Sequence, residues 1–346
     1  MILDKISVGR RIDCYCGASI AFDFVRNYIE EHIDGRDIKG TKILVISDRN
    51  VGGYYYSRFE KQFLAKEVRP ELTIVDAGNS YKNLSSVAEV IRAFVDFEFG
   101  DGDWVIALGG GGVLDVASFA TGIYAYDVNL VNIPTTMGAM VEGSVGRNSL
   151  INAGSHKNII MGTSEPKVIF ADPDFLGTVP QKVRTNGYAV VIKYAVLQDP
   201  TLLKELLDTS DLRAFLGRVY ETRAAIEALN PKLLNLGIEL SDAIEGYFRF
   251  MNYSEGEALA LSIYAAVPEK YREVLKVLYN KLGLPRELSG VQSKMIIKKL
   301  EENIRKHRNS KVEVVDLELG KWVLKTVTCD EAVDIQKKRI GIICAE

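Results

Sequence analysis

A run of four glycines, Gly109 to Gly112, lies between an apolar segment and an amphipathic one in the stretch ALGGGGVLDVASFA. Glycine has no Cβ, so a phosphate can approach its backbone closely, and the first turn of a helix offers unpaired N–H groups to an anion. The spacing departs from GxGxxG because Leu114 occupies the third glycine position. A tight turn without a ligand is the alternative, although each glycine costs roughly 0.5–1 kcal/mol relative to alanine. We therefore predict a diphosphate site at this turn.

Polar residues also follow two other apolar segments. Thr135 and Thr136 follow NLVNIP, where hydroxyl groups at the end of a parallel strand either bind a ligand or form a local turn. Asp48 and Asn50 follow KILVIS, where they could hold a ribose hydroxyl or cap the next helix. Taken alone, Asp48 and Asn50 are more typical of a helix cap. Thr135 and Thr136 are compatible with either a ligand or a local turn.

Short apolar runs alternate with helical patterns through the first half of the chain. Runs of this kind are typical of strands buried on both faces, and the alternation predicts βαβ units and a doubly wound parallel sheet. The predicted strands are KILVIS at 42–47, LTIVD at 72–76, WVIALG at 104–109, NLVNIP at 129–134 and KVIFA at 167–171.

Beyond about Phe175 the strand patterns nearly cease, and the segment from 183 to 308 reads as successive helices separated by proline and asparagine turns. KVEVVDLELG at 311–320 alternates polar and apolar residues and could form one isolated strand. We predict an α/β domain over residues 1–175 and an all-α domain over residues 176–346. We also expect a cleft between the two domains.

Composition excludes several classes of protein. The 346 residues include 43 lysines and arginines against 46 aspartates and glutamates, a net charge of −3 that offers no sustained positive field for nucleic acid or an anionic membrane. The four cysteines form no CxxC pair, which predicts reduced thiols and a cytoplasmic location, and no apolar run is long enough to span a membrane. The three histidines, His32, His156 and His307, are too scattered for a site with several histidine ligands. The expected partner is a small-molecule substrate.

In order along the chain, these segments resemble dehydroquinate synthase and related sugar phosphate cyclases. The resemblance is carried by SDRNV, GNSYKNL, ALGGGGVLDVASFA, NIPTTMGAMVEGSVGRNSLIN, HKNII, DPDFLGTVP, VIKYAVLQD, NLGIELSDAIEGY and SEGEALALS. It covers most of the chain. It implies a Rossmann-like domain that binds NAD, a helical C-terminal domain and a homodimer.

The positions that contact NAD in the family are largely matched in this sequence. Asn79 is a departure, since the family usually has a glutamate there. The residues that the resemblance implies for NAD binding are Asp48, Asn50, Lys82, Gly110, Gly111, Gly112, Asp115, Thr135, Thr136, Lys157, Phe175 and Thr178.

The metal-binding positions are not matched. The family uses one glutamate and two histidines, and the corresponding positions here are Val190, Ile238 or Asp242, and Glu255. Because valine and isoleucine offer no lone pair, only Asp242 and Glu255 remain as candidate ligands, and they favour a hard ion over zinc. The alternative is that both are solvated helix carboxylates. We expect no specific metal site.

Several cationic positions that grip an anionic substrate in the family are also changed. They are Tyr126, Asn148, Pro231 and the segment 303–305, and Glu142 stands where the family has an aspartate. A charge-assisted hydrogen bond contributes about 1.5–3 kcal/mol. These losses therefore favour a less anionic substrate.

Residues implied to face the nicotinamide persist, namely Lys157, Asn158, Lys193 and Asn235. Oxidation of a hydroxyl without a metal needs another base, and Lys193, helped by Asp242 or Glu142, is our candidate. A salt bridge from Lys193 to Asp242 or Glu255 is the structural alternative.

Three interpretations of the function remain open. The first is an NAD-dependent enzyme that acts on a polyol or cyclisable sugar, or its phosphate, by transient or net hydride transfer without zinc. The second is a 3-dehydroquinate synthase with an unusual active site. The third is a non-catalytic NAD-binding protein. We favour the first, because a protein that only binds NAD would not need the residues retained near the nicotinamide.

Overall fold

The computed structural model describes residues 4–8, 12–33, 35, 37–76, 78–146, 148–207, 211–306, 311–318 and 321–344. A seven-stranded sheet has the order β1-β2-β9-β6-β5-β3-β4, in which β1 pairs antiparallel with β2 and every other neighbouring pair is parallel. Its strands are β1 (Asp4–Val8), β2 (Ile12–Cys16), β3 (Ile43–Asp48), β4 (Glu71–Val75), β5 (Trp104–Gly109), β6 (Asn129–Pro134) and β9 (Val168–Ala171).

The five predicted parallel strands are β9, β6, β5, β3 and β4 of this sheet, and the predicted fold class is confirmed for this part of the chain. Every residue of β3, β5 and β9 is buried, as expected for strands covered on both faces. The helices α4 (Leu84–Asp96) and α5 (Gly111–Ile123) pack their apolar faces against Leu44, Ile46 and Val105 of this sheet. This burial fixes the carboxyl ends of β3, β5 and β6 at one edge of the sheet.

In the N-terminal half, four of the described strands lie outside the predicted set. They are β1 and β2 of the main sheet and the two strands of a separate sheet, β7 (Asn148–Ala153) and β8 (His156–Thr163). The residues of β8 alternate between half-buried and exposed for most of its length, so no continuous apolar run marks it. The turn between β7 and β8 uses Gly154 at φ 58°.

Thirteen α-helices cover the sheet or form the second half of the chain. They are α1 (Ile20–Asp23), α2 (Val25–Glu31), α3 (Arg49–Leu64), α4 (Leu84–Asp96), α5 (Gly111–Ile123), α6 (Gln181–Leu197), α7 (Leu202–Glu205), α8 (Leu212–Leu229), α9 (Ile238–Tyr247), α10 (Glu255–Ala266), α11 (Glu269–Leu282), α12 (Ser293–Arg305) and α13 (Cys329–Ile343), counted over the described residues.

The C-terminal half is mostly helical, as predicted, and it also contains one pair of strands among its described residues. An antiparallel hairpin joins β10 (Val312–Glu318) to β11 (Lys321–Val327), where the sequence indicated one isolated strand at 311–320. The second strand was missed because its residues are partly exposed and carry no strong alternation. Ile296, Leu300 and Val314 share one apolar core with α9, α10 and α13.

Two compact units divide the chain. Unit 1 consists of 1–153, 158–180 and 211–220, and unit 2 consists of 154–157, 181–210 and 221–346. The predicted boundary at residue 175 stays a prediction. Among the described residues, no helix combines the length and apolarity that crossing a membrane requires.

Candidate functional site

The glycine turn in unit 1 lies where β5 passes into α5. Gly110 caps the helix with extended backbone, and α5 begins at Gly111. A Cβ on Gly109 would lie 2.7 Å from the Cβ of Val113, so close packing of the turn requires glycine there. In contrast, a Cβ on Gly111 would meet nothing within 4 Å. The open face of the turn therefore presents the free N–H groups of a helix start, which suit an anion.

Thr135 lies beside this turn and carries a buried hydroxyl group. Its amide donates to the carbonyl of Gly109 at 2.9 Å, and Gly109 pairs with Pro134 in the sheet. The residue is 2% exposed, and among the described residues its Oγ1 has no hydrogen-bond partner. A buried hydroxyl that makes no hydrogen bond lowers the stability of the fold. The Thr135 hydroxyl is therefore a candidate to form a hydrogen bond with a ligand.

The topology places this turn where open α/β sheets bind ligands. From β3 the chain continues to β4 at one edge, whereas from β5 it continues to β6 on the other side. The carboxyl ends of β3 and β5 therefore flank the point at which the strand order reverses. Ser47 donates to the carbonyl of Leu108 at 2.8 Å and ties these two strands together at that edge.

Lys82 and Asp115, both predicted to contact NAD, form a buried ion pair next to the glycine turn. Nζ of Lys82 lies 2.6 Å from Oδ2 of Asp115, with side-chain exposures of 6% and 17%. Oδ1 of Asp115 accepts from the amide of Leu150 at 3.0 Å, so the carboxylate also ties α5 to β7. The structure brings these two residues together in an ion pair that connects the segment before α4 with α5 and β7.

Other predicted cofactor residues have structural partners in unit 1. Oδ1 of Asp48 accepts from the amides of Asn50 and Val51, which is the capping role that the sequence favoured for that pair taken alone. Phe175 is 1% exposed and packs against other aromatic rings, and Thr178 shares a 2.6 Å hydrogen bond with Tyr55. A role for these residues in binding NAD stays a prediction.

Lys157, predicted to contact NAD, lies in unit 2 among three carboxylates. Its Nζ is 2.6 Å from Oε1 of Glu245, 2.8 Å from Oε1 of Glu255 and 3.6 Å from Oδ1 of Asp242. The lysine side chain is 3% exposed, and Glu245 is 1% exposed, whereas Glu255 is 59% exposed. We call these four residues the carboxylate cluster. Its buried centre is the ammonium, and its solvent-exposed side is Glu255.

Burial and charge shift the protonation of this cluster. The pKa of Glu245 is raised to about 7, because burial and the charges of Glu255 and Asp242 together outweigh the lowering effect of Lys157. The pKa of Lys157 is held well above its usual range, because the three carboxylates outweigh the opposing effect of its burial. The cluster can therefore hold a proton on Glu245 near neutral pH while the lysine stays charged.

Sequence reasoning missed Glu245. It follows Asp242 by three positions, so both carboxylates project from the same face of α9. That spacing was the available signal. Gly246, in α9, lies close to the turn at Ser155: a Cβ on Gly246 would be 2.6 Å from the Ser155 carbonyl oxygen.

The residues predicted to act in catalysis are divided between the units. Lys193, in α6, is fully buried, with its ammonium 5.5 Å from the ring centroid of Tyr194. Asn235 is exposed at the end of a 3-10 turn before α9. In unit 1, Glu142 lies in a π-helical turn at Ala139–Gly143.

Asn158 has an unusual backbone. It adopts φ 54° and donates its amide to Oδ1 of Asn152, while its own Oδ1 is buried without a hydrogen-bond partner among the described residues. A positive φ in a non-glycine residue is strained and is common at functional sites. Of the remaining histidines, His32 donates from Nδ1 to the carbonyl of Tyr28 at 2.8 Å, and His307 lies outside the described residues.

The side chains at the four positions implied for metal binding do not fit a zinc site. Val190 is 7% exposed in α6 and Ile238 begins α9, and neither side chain can coordinate a metal. Asp242 and Glu255 both contact the Lys157 ammonium. Among the described residues, no three histidine, cysteine, aspartate or glutamate side chains are arranged to hold a metal ion. Whether any metal binds stays a matter of proposal.

Sequence comparison shows which family of proteins the chain resembles. Residues 72–186 match the family model of the 3-dehydroquinate synthase N-terminal domain. The 3-dehydroquinate synthase of Prochlorococcus marinus (strain NATL2A) is 30% identical over 310 residues, covering 82% of this chain and 84% of that protein. The same enzyme from Thermoanaerobacter pseudethanolicus is 28% identical over 342 residues, covering 92% and 94%.

Solved structures share the fold over nearly the whole chain. The 2-epi-5-epi-valiolone synthase of Streptomyces hygroscopicus, solved with NAD+ and Zn2+, matches with a TM-score of 0.77 at 21% identity, covering 97% of this chain and 98% of that one. A 2-deoxy-scyllo-inosose synthase, complexed with carbaglucose-6-phosphate, NAD+ and Co2+, matches with a TM-score of 0.78 at 17% identity, covering 98% and 99%.

The chain belongs to the 3-dehydroquinate synthase family. It is an enzyme of that family, as the resemblance implied, and its sheet and helical C-terminal part match those of the structural neighbours.

Proposed function

We propose that this protein is an NAD-dependent enzyme that acts on a polyol or a cyclisable sugar, or its phosphate, by transient or net hydride transfer without zinc. The observation that supports NAD binding best is the unpartnered Thr135 hydroxyl beside the open glycine turn. The structural neighbours solved with NAD+ support the same cofactor. The NAD-binding part of the proposal rests on unit 1.

The residues of unit 1 would hold NAD in distinct ways. The N–H groups that begin α5 at Gly111 and Gly112 suit the diphosphate, and the Thr135 hydroxyl would gain the hydrogen bond that it otherwise lacks. The Lys82–Asp115 pair holds the loop and the helix in place around the turn. Bound there, NAD would supply a hydride acceptor.

Removing a hydride from a carbon that bears a hydroxyl leaves a carbonyl, and the hydroxyl proton must pass to a base. We propose Lys193 for this step, helped by Asp242 or Glu142. Asp242 and Glu255 both contact Lys157.

A 3-dehydroquinate synthase activity is the second candidate, and the curated relatives support it directly. Against it stand the changed side chains at Val190 and Ile238 and the missing cationic positions. The substrate of that enzyme should be tested in parallel with less anionic polyols and sugars.

The experiment is a screen for NADH absorbance and for released phosphate in chelator-treated protein with NAD and a panel of polyols, sugars and sugar phosphates. We expect turnover with at least one member of the panel and a loss of turnover in Lys193→Met. Turnover that survives Lys193→Met would remove the lysine from the mechanism, and turnover that requires added zinc would favour the second candidate.

A homodimer is also part of the proposal. Sedimentation of the purified protein tests it, with a mass of one chain as the contradicting result.

A further inference from the structure

Asn152, near the end of β7, connects three segments of unit 1. Its amide donates to the carbonyl of Lys82 at 2.8 Å, and the residue forms an isolated parallel bridge with Asn83. Its side-chain Oδ1 accepts from the amide of Asn158, in β8, at 2.8 Å. Only 4% of the residue is exposed. From a buried position, Asn152 therefore holds the segment before α4, β7 and β8 together.

The segment before α4 also lies against the glycine turn. A Cβ on Gly112 would lie 3.5 Å from the carbonyl oxygen of Gly78, and the ion pair of Lys82 with α5 fixes the same segment. Two hydrogen bonds of Asn152 then lead from this segment to Asn158. A continuous set of contacts within unit 1 therefore connects the turn proposed for the NAD diphosphate with Asn158.

Both the backbone and the side chain of Asn158 are arranged in a way that costs stability. Its φ of 54° is a left-handed conformation that non-glycine residues rarely adopt, although asparagine adopts it more readily than most. Its Oδ1 is buried and has no hydrogen-bond partner among the described residues. The hydrogen bond from its amide to Asn152 stabilises the unusual backbone. The Oδ1 remains available to a ligand that carries a hydrogen-bond donor.

We propose that Oδ1 of Asn158 accepts a hydrogen bond from the carboxamide N–H of the nicotinamide, and that Asn152 is the positioning residue that holds Asn158 for this contact. The inference deepens the proposed function and rests on NAD binding by unit 1. A primary amide suits this role, because asparagine and the nicotinamide carboxamide each carry one carbonyl oxygen and one NH2 group. The two groups can therefore pair through both.

Calorimetric titrations of NAD and of ADP-ribose, which lacks the nicotinamide, test the ligand contact. We expect Asn152→Ala and Asn158→Gly each to weaken NAD binding about tenfold, the effect of roughly one lost hydrogen bond, and to leave ADP-ribose binding unchanged. Asn158→Gly should fold readily, because glycine adopts a positive φ without strain and keeps the amide that donates to Asn152. The matched control is Asn152→Asp, which retains an acceptor oxygen and should bind NAD as the wild type does.

Hydrogen exchange of the Asn158 amide, followed by NMR in protein that contains isotope-labelled asparagine, tests the positioning role without any ligand. The signal is assigned by its absence in Asn158→Gly. We expect this amide to exchange about tenfold faster in Asn152→Ala than in the wild type, because its acceptor is gone, and to stay protected in Asn152→Asp.

Three results would overturn the inference. One is exchange of the Asn158 amide at the same rate in the wild type and in Asn152→Ala. Another is NAD binding that Asn152→Ala and Asn158→Gly leave unchanged. The third is an equal loss of NAD and ADP-ribose binding, since that loss would not involve the nicotinamide. A wild type that binds neither ligand would refute the proposed function and with it the nicotinamide contact, and the exchange measurement distinguishes that outcome from failure of the positioning role.

Discussion

Replacing Glu245 by glutamine should change how the stability of the protein depends on pH. Burial raises the pKa of the Glu245 carboxyl from 4.5 to about 7 in the folded protein. Between these values the folded state holds a proton that the unfolded state has lost, so the contribution of this group to stability is complete below about pH 4.5 and is lost as the pH rises to 7. One pKa unit corresponds to about 1.4 kcal/mol, so the loss is roughly 3 kcal/mol.

Glutamine stays neutral, and its side-chain oxygen can still accept from Lys157. Glu245→Gln should therefore gain roughly 3 kcal/mol relative to the wild type between pH 4.5 and pH 8. Urea unfolding followed by circular dichroism at several pH values measures the difference. The control is Glu313→Gln, which alters an ion pair with Lys232 whose side chains are 40% and 55% exposed, and whose effect should vary little with pH.

The outcome that refutes this reasoning is a difference between Glu245→Gln and the wild type that stays constant over the range. An opposite trend, in which the wild type gains relative stability as the pH rises, would be equally decisive. Either result would mean that Glu245 stays ionised over this pH range. The charge of Lys157 would then outweigh the effect of burial on the pKa of Glu245.

Three further predictions concern the two units. Gly111→Ala should fold normally, since a Cβ there meets nothing within 4 Å, but should weaken NAD binding in a calorimetric titration because the methyl group lies where the diphosphate would approach. Lys82→Met should cost about 3 kcal/mol in urea unfolding, because it leaves a buried aspartate without its cation, and an unchanged midpoint would contradict the structural role of the pair. Gly256→Ala should lower the melting temperature, since its Cβ would lie 2.3 Å from the Cα of Asn186, whereas Gly341→Ala, with nothing within 4 Å, should be neutral or stabilising.

The main sheet was predictable because its central strands have a distinctive sequence pattern. WVIALG and NLVNIP are apolar at nearly every position, and only strands covered on both faces tolerate this. The strands β7 and β8 could not be found in the same way, since they carry polar residues such as Asn148, His156 and Lys157. Their pairing is determined by the turn at Gly154 and by packing against other elements.

The glycine turn was predictable for a similar reason, since four adjacent glycines mark a local backbone requirement. The carboxylate cluster was not, because the partners of Lys157 lie 88 and 98 positions away in the sequence. The resemblance implied that the family's metal-ligand positions here are Val190, Ile238 or Asp242, and Glu255, which left Asp242 and Glu255 as the candidate ligands. The sequence could not show that these carboxylates contact Lys157, because no local pattern connects β8 with α9 and α10.

The central claim is that unit 1 binds NAD at the glycine turn without help from a metal ion. A calorimetric titration of NAD into chelator-treated protein, compared with Thr135→Val, tests it most directly. The account predicts saturable binding to the chelator-treated wild type and weaker binding to the variant, which lacks the hydroxyl that NAD would satisfy. Absence of NAD binding, or binding that Thr135→Val leaves unchanged, would contradict it.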